Sequence, residues 1–336
     1  MIFHYHFSIA GSSHETNGAP CEDASAVIAN CTEGWVIAAS ADGVGSCAHA
    51  KTGSTVAVQT ALQTLINCFD INLAASEVHD IIRATFSAAF SAISQRAVEE
   101  GNPIEDYETT LDIAIYDGSV LHFGHSGDGG IFGMKKDGTF VEITQPQKEE
   151  RFVIPLSRGS EAWEIGTYEY PLVSVLLVTD GMRKALWQAQ FRTANKHGVN
   201  LPSELYVPNC TFFMDSSWLN EQQGQADVFE KNIGDYLNNK LSEDTFYKHL
   251  LVCYSAALGS HTKAEEMLAG FRKFNMPMRL MKNITDDKTV VGLINTEVTP
   301  APRPPAYYEE VDWIAIRLAV DKVLYPHLYP NEIENV

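Results

Sequence analysis

The chain has 336 residues, of which 45% are hydrophobic and 20% are charged. A chain of this length and composition can bury a large core, either as one big domain with insertions or as two smaller domains. Its formal net charge is −19, which argues against nucleic acid or an anionic membrane surface as a partner, because either would select a basic face.

The sequence also bears on the compartment. The N-terminal segment MIFHYHFSIAGSS lacks the basic region of a signal peptide, and no run of about 18 apolar residues predicts a membrane span. The six cysteines include no C-x-x-C pair, which argues against structural zinc and a redox motif. Together these features predict a cytoplasmic protein with reduced cysteines, most of them small core residues.

Three strands are predicted first in chain order. Residues 2–10 alternate weakly between apolar and polar and predict an edge strand, and residues 25–29 predict another. Residues 34–41 are apolar enough for a central strand. That run ends at Asp42, which a glycine follows at once, so a carboxylate stands at the end of a core strand.

Two long helices follow these strands. Apolar residues recur at helical spacing over residues 58–69 and again over residues 78–97. Ser76 is the predicted N-cap of the second helix, and Gly101 is its predicted stop. Because each helix has one apolar face, the pair is predicted to cover a sheet.

Strands return over residues 109–143, where the turn signals YDGS, SGDGG and KKDG separate short apolar runs. This pattern predicts an antiparallel meander. Further strands are predicted within the segments AWEIGTYEY, VSVLLVTDGM and KTVVGLI. Strands, a helix pair and more strands in this order are typical of an α+β domain with helices packed on sheet faces.

We predict that one domain extends over residues 1–295, with a mainly helical insertion at about 186–284. Residues 296–336 contain the proline-rich spacer TPAPRPPA, which should be extended. A last helix is predicted over residues 310–325, and it packs either on its own domain or on a partner. The sequence does not predict the oligomeric state.

Four acids share one setting. Asp42, Asp128, Asp180 and Asp286 each lie at a strand end or in a tight turn beside one. Carboxylates that cluster in a partly buried place repel each other and become protonated unless cations bind. Carboxylate and carbonyl oxygens without imidazole or thiolate are typical ligands of Mg²⁺ or Mn²⁺, and Gly43 lets the backbone turn a carbonyl toward an ion. A single Asp-Gly is usually only a turn, so the prediction depends on all four acids.

Five segments, taken in order, resemble the signature blocks of the metal-dependent PPM/PP2C serine/threonine protein phosphatases. They are GSSHETNGAPCEDASA, AASADGVGSCAHAKTGSTVA, TTLDIAIYDGSVLHFGHSGDGGIFG, LLVTDGM and DDKTVVGLI. Each block is short, but their common order is specific. The resemblance implies a four-layer αββα sandwich, in which helix pairs flank two antiparallel sheets. It also implies two Mg²⁺ or Mn²⁺ ions at one end of the sandwich.

The resemblance implies roles for the acids. Asp42 resembles the carboxylate that bridges both ions, and Gly43 the carbonyl ligand beside it. Asp180 and Asp286 would complete the protein ligands of the first ion, so the catalytic acids would be Asp42, Asp180 and Asp286. Asp128 resembles the acid that, with Asp180, holds a third and weaker ion in many members.

Other positions of the motif blocks are less direct. Glu22 and Asp23 resemble acids that hydrogen-bond metal-bound water and orient the ligands. Asp287 falls where the family often has asparagine, so it ranks below Asp286 as a ligand. Val44 replaces a histidine that many members have as a proposed general acid, and NGAPC lacks their phosphate-binding arginine. Basic residues near the blocks remain as candidates for substrate contact or proton donation: His14, His49, His125, Arg183 and Lys184.

The predicted function is metal-dependent hydrolysis of phosphoserine and phosphothreonine esters. Two ions would acidify a water and neutralise the phosphoryl oxygens. The substrate would be a phosphoprotein, either a kinase or the target of one. The alternative is a phosphatase-like module with little catalysis that docks or senses through the insertion and the helix at Trp313.

Overall fold

The structure of the chain is a computed structural model. It describes residues 2–150, 152–186, 251, 255, 260–262, 265, 285–301 and 313–329. Nearly all of the predicted insertion at about 186–284 and most of the proline-rich spacer lie outside these residues. The insertion and the domain boundaries therefore stay predictions.

Twelve strands and five helices organise the described part of the chain. The strands are β1 (Ile2–Ile9), β2 (Ala24–Asn30), β3 (Trp35–Ala41), β4 (Leu111–Tyr116), β5 (Leu121–Ser126), β6 (Gly130–Met134), β7 (Phe140–Glu142), β8 (Lys148–Glu149), β9 (Phe152–Val153), β10 (Glu164–Tyr168), β11 (Ser174–Val178) and β12 (Lys288–Asn295). The helices are α1 (Ser12–Asn17), α2 (Ala50–Cys68), α3 (Ala75–Glu100), α4 (Asp180–Leu186) and α5 (Trp313–Leu324). Short 3₁₀ helices cover Ile104–Tyr107, Leu156–Arg158 and Pro326–Leu328.

The long strands form two antiparallel sheets of five strands. Sheet A has the order β1-β12-β11-β6-β7, and sheet B has the order β10-β5-β4-β3-β2. The strands β8 and β9 form a separate hairpin. The predicted edge positions of β1 and β2 and the central position of β3 are confirmed. So is the α+β sandwich of two antiparallel sheets.

Strand β3 is buried along its whole length because it contributes to two cores. Trp35 and Ile37 pack toward α2 and α3, whereas Val36 and Ala38 pack between the two sheets. Successive side chains of a strand point to opposite faces, so both faces of this strand must be apolar. This explains why the sequence reads as a continuous apolar run rather than an alternating one.

The helix pair α2 and α3 covers the outer face of sheet B, as predicted. Gly101 ends α3 in the left-handed conformation with φ of 71°, which confirms the predicted stop. The predicted N-cap at Ser76 is wrong, because α3 begins at Ala75. Glu77 caps the start instead, since its Oε2 accepts the backbone N–H of Ala74 at 2.9 Å.

The predicted meander over residues 109–143 is only partly correct. The pairs β4–β5 and β6–β7 are antiparallel neighbours, but β5 belongs to sheet B and β6 to sheet A. The segment SGDGG therefore carries the chain from one sheet to the other instead of closing a hairpin. Gly127 makes this crossing possible with φ of 126°, a conformation that residues with a side chain rarely adopt.

The last helix is also present. Residues 310–325 were predicted to be helical, and α5 covers Trp313–Leu324, while residues 302–312 lie outside the described part. Among the residues that the structure describes, no helix is both long enough and apolar enough to cross a membrane.

Candidate metal centre

The register of sheet A brings three of the predicted acids to one end of the sandwich. Val178, the last residue of β11, pairs with Val290 of β12 and with Gly130 of β6. The acid after β11, Asp180, therefore lies beside the connection before β12, which carries Asp286. It also lies beside the connection before β6, which carries Asp128.

Sheet B brings its acids to the same end. Ala41, the last residue of β3, pairs with Ala24, the first residue of β2. Asp42 directly follows β3 and Asp23 directly precedes β2, so these two acids are neighbours. The register of both sheets thus gathers acids that are far apart in the chain.

A cleft of about 160 Å³ opens at this end of the sandwich. Its lining includes every residue predicted as a metal ligand together with Glu22 and His14, and the full set is His14, Glu22, Asp42, Gly43, Val44, Gly45, Thr110, Asp128, Val153, Asp180, Asp286 and Asp287. Asp23 does not line the cleft, because its side chain is fully buried. The convergence of Asp42, Asp128, Asp180 and Asp286 supports the interpretation of the strand-end acids as one site.

The carboxyl group of Asp42 is the electrostatic centre of this cluster. Burial raises its pKa well above the ordinary value, and four nearby carboxylates raise it further, namely Asp23, Asp180, Asp286 and Asp128. Burial also raises the pKa of Asp23 to about 7, although hydrogen bonds from Thr179, Thr289 and Asp42 lower it. In the absence of a cation, burial and mutual repulsion therefore favour the protonated form of these two acids more than water does.

Two adjacent threonines fix the backbone of Asp42. Thr110 Oγ1 accepts the Asp42 N–H at 2.8 Å, and Thr109 Oγ1 donates to the Asp42 carbonyl at 2.9 Å. Gly43 is required beside them, because a Cβ there would lie 2.6 Å from the carbonyl oxygen of Ala50. Both threonines stand directly before β4 at the start of a motif block, but the block by itself does not indicate these contacts with Asp42.

Asp287 has a structural role that its position in the motif did not reveal. Its Oδ1 accepts the Gly11 N–H at 2.7 Å and lies 2.9 Å from His14 Nδ1, and its Oδ2 accepts the Glu22 N–H at 2.6 Å. The carboxylate therefore ties the segment before β2 to the start of β12. This tether also places His14 at the cleft, with its Nε2 3.9 Å from Glu22 Oε2.

A lysine that the sequence analysis did not single out contacts two of the cleft acids. Lys148 Nζ lies 2.7 Å from Asp128 Oδ2 and 4.0 Å from Asp180 Oδ2. Lys148 belongs to the small β8–β9 hairpin and is 20 residues after Asp128. Nothing in the local sequence distinguishes it from a surface lysine.

The two other predicted basic contacts have different outcomes. Arg183 is 2% exposed, and its guanidinium donates to Glu142, to the Gly129 carbonyl and to the Thr144 carbonyl. The Arg183 charge is thus committed to an interior ion pair beside the loop of Asp128, and the residue does not line the cleft. The side chain of Lys184 lies outside the described residues.

Two histidines considered as proton donors are structural. His125 is fully buried, with Nδ1 2.5 Å from Asp112 Oδ1 and Nε2 2.9 Å from the Gln145 carbonyl. His49 stacks on the ring of Tyr107 at 4.7 Å. Neither residue lines the cleft, whereas His14 does.

The donor set fits a hard divalent cation in its chemistry. All of the predicted ligand atoms are oxygens, and two buried carboxylate oxygens, Asp23 Oδ1 and Glu22 Oε2, make no hydrogen bond. However, no three histidine, cysteine, aspartate or glutamate side chains in the described part are grouped so that they could hold a metal ion. Binding of an ion would therefore draw the carboxylates closer together.

Comparisons with known proteins identify the family of the chain. A family model described as protein phosphatase 2C matches residues 10–205, whereas no curated protein matches the chain. Among solved structures, a bacterial serine phosphatase with an arginine-to-lysine mutation has a TM-score of 0.50 at 11% identity, over 90% of this chain and 100% of its own. The phosphatase PstP/Ppp of Mycobacterium tuberculosis has a TM-score of 0.48 at 17% identity, over 87% of this chain and 98% of its own. Stp1 of Staphylococcus aureus has a TM-score of 0.47 at 12% identity, over 88% of this chain and 95% of its own.

Proposed function

Because the chain belongs to the protein phosphatase 2C family, we propose that it hydrolyses phosphoserine and phosphothreonine esters in proteins with the help of bound Mg²⁺ or Mn²⁺. The observation that carries this proposal is the convergence of Asp42, Asp180 and Asp286 on one cleft, where burial and the neighbouring acids raise the pKa of Asp42. A cluster with this much negative charge is stabilised by cations, and oxygen ligands select hard ones.

The residues assigned to the ions are those predicted from the motif blocks. Asp42 would contact both of two ions, with the Gly43 carbonyl, Asp180 and Asp286 as further ligands. Bound divalent ions of this kind lower the pKa of water and neutralise the oxygens of a phosphoryl group. They would also let a chain of net charge −19 accept an anionic ester, because they invert the local field.

Several side chains of the protein hold the acids in place. The hydroxyl of Thr179 donates to Asp23 Oδ2 at 2.7 Å, which fixes the orientation of the Asp23 carboxyl group. Thr110 fixes the backbone of Asp42, and Asp287 fixes Glu22 and His14. These contacts hold the ligands in a fixed geometry, which is what efficient catalysis at such a site needs.

His14 is the proposed proton carrier of the cleft. Its imidazole is 23% exposed and contacts Asp287 through Nδ1, which leaves Nε2 on the side of Glu22. A proton on this ring could pass to the leaving seryl or threonyl oxygen as the ester bond breaks. His14 would then replace the histidine that many family members have at the position of Val44.

The substrate of this reaction would be a phosphoprotein, either a kinase or a kinase target, in the cytoplasm. The described cysteines Cys21, Cys31, Cys47 and Cys68 are all free thiols, which is consistent with a reducing compartment. The alternative of a docking module with little catalysis, acting through the insertion and the helix at Trp313, is not favoured, because the family to which the chain belongs is one of phosphatases.

The proposal is tested by turnover of p-nitrophenyl phosphate and of a phosphothreonine peptide with added Mn²⁺. We expect metal-dependent hydrolysis that a chelator abolishes, and a loss of at least about 100-fold in Asp42→Ala and in Asp180→Asn, as for removal of a principal catalytic group. Asp137→Asn is the matched control, because Asp137 caps a turn remote from the cleft. Folded wild-type protein without Mn²⁺-stimulated turnover would refute the proposal.

A further inference from the structure

The β8–β9 hairpin presents a cation to the cleft. Lys148 Nζ makes an ion pair with Asp128 at 2.7 Å and lies 4.0 Å from Asp180. Both carboxylates are largely buried, at 7% and 14% exposed, whereas the lysine side chain is 38% exposed. The ammonium group of a more exposed side chain therefore lies against two largely buried carboxylates.

This contact is built into the backbone of the hairpin. Gln147 N donates to the Gly127 carbonyl at 2.7 Å, and Gly127 N donates to Gln147 Oε1 at 3.1 Å. Lys148 directly follows Gln147, and Asp128 directly follows Gly127. The two hydrogen bonds between Gln147 and Gly127 therefore hold the two charged residues beside each other. On the paired strand, Val153 lies opposite Lys148 and itself lines the cleft.

A lysine held in this way competes with a metal ion. An ammonium group and a divalent cation seek the same carboxylate oxygens, and they also repel each other at short distance. An ion could take the position between Asp128 and Asp180 only if Lys148 moved away and left its ion pair. The cost of that movement lowers the affinity of this position for metal.

We propose that Lys148 is a tethered counter-ion that fills the position between Asp128 and Asp180 and excludes a divalent cation from it. The proposal rests on the proposed function, because it assumes that Asp180 also serves an ion bound by Asp42. The positive charge of Lys148 would then take the place of an ion between Asp128 and Asp180. The number of ions bound by the protein is then set by one lysine.

The test counts bound Mn²⁺ by equilibrium dialysis and checks the free ion by electron paramagnetic resonance. It compares the wild type with Lys148→Met, which keeps the apolar stem, and with Lys148→Arg, which keeps the charge. We expect Lys148→Met to bind one more Mn²⁺ per chain, or to bind its weakest Mn²⁺ roughly tenfold more tightly, which corresponds to about 1.4 kcal/mol. Lys148→Arg should behave as the wild type.

Two further variants complete the test. Lys136→Met removes an exposed lysine of the β6–β7 turn and should leave Mn²⁺ binding unchanged. Adding Asp128→Asn to Lys148→Met should abolish the gain. If the wild type binds Mn²⁺ and Lys148→Met binds the same number with affinities within about twofold, the inference is overturned while the proposed function stands. If neither protein binds Mn²⁺, both are overturned.

Discussion

The buried pair of His125 and Asp112 gives the sharpest prediction about stability. Burial alone would lower the pKa of His125, but the charge and hydrogen bond of Asp112, the Gln145 carbonyl and the charge of Glu164 outweigh it, so the pKa is raised. Both ring nitrogens have an acceptor, at 2.5 Å and 2.9 Å. The folded protein therefore favours the doubly protonated imidazole, which carries a positive charge, more than the unfolded chain does.

The perturbation is Asp112→Asn, which keeps the shape of the side chain and removes its charge. Loss of one partner of a buried ion pair costs about 3 to 5 kcal/mol when the other charge is trapped. Here the imidazole can release its proton, so the expected loss is about 1.5 to 3 kcal/mol, the value of one hydrogen bond to a charged group. The control is Asp117→Asn, because the Asp117 carboxylate accepts two N–H groups of a turn, and the amide oxygen of asparagine can replace it.

The sign of the pH dependence follows from the raised pKa of His125. Folding favours the protonated imidazole, so its stabilisation is complete below the unfolded value of about 6.5 and is lost as the pH rises through the folded value. Urea unfolding in the presence of chelator, followed by circular dichroism, measures the free energy of unfolding at each pH. The loss caused by Asp112→Asn should be larger at about pH 6 than at about pH 9. Equal losses at both values, or a larger loss at the higher pH, would contradict the reasoning.

Three other predictions follow from buried polar contacts. Chelated protein should lose thermal stability as the pH rises through about 7, because the carboxyls of Asp23 and Asp42 have raised pKa values and stabilise the fold when protonated. Asp42→Asn should make thermal stability depend less on pH, and an unchanged pH dependence would contradict the contribution of Asp42. Tyr116→Phe should cost about 0.5 to 1.5 kcal/mol in urea unfolding, because the buried hydroxyl donates to the Leu172 carbonyl at 2.9 Å; a neutral result would mean that the carbonyl finds another donor. Thr110→Val should weaken Mn²⁺ binding in dialysis while Thr110→Ser retains it, since only serine keeps the acceptor for the Asp42 N–H; equal binding by both would refute a positioning role.

The sequence predicted the parts of this fold that depend on short patterns. The apolar run before Asp42, the helical periods of α2 and α3 and the stop at Gly101 are local features, and the structure confirms all of them. The convergence of the strand-end acids was also predictable, because the motif order restricts the possible arrangements. These features need no knowledge of which sheet a strand joins.

The remaining features depend on contacts between distant residues. An alternating pattern does not reveal that β5 and β6 lie in different sheets, so the pattern alone predicts a hairpin turn at the segment SGDGG. Arg183 follows Asp180 closely in sequence, but its guanidinium pairs with Glu142, which is 41 residues away. The contact of Lys148 with Asp128 depends on the position of the β8–β9 hairpin, for which the sequence offers no periodic signal.

The order of strands in sheet A has a consequence for synthesis of the protein. Strand β1 is the first element of the chain, yet its neighbour in the sheet is β12, with Ile2 opposite Asn295. While the ribosome is still making the middle of the polypeptide, the N-terminal strand has no hydrogen-bonding neighbour, and Asp286 does not yet exist. Such distant pairing is slow to form. A nascent chain therefore cannot carry a complete acid cluster until Asp286, which lies 244 residues after Asp42, has emerged.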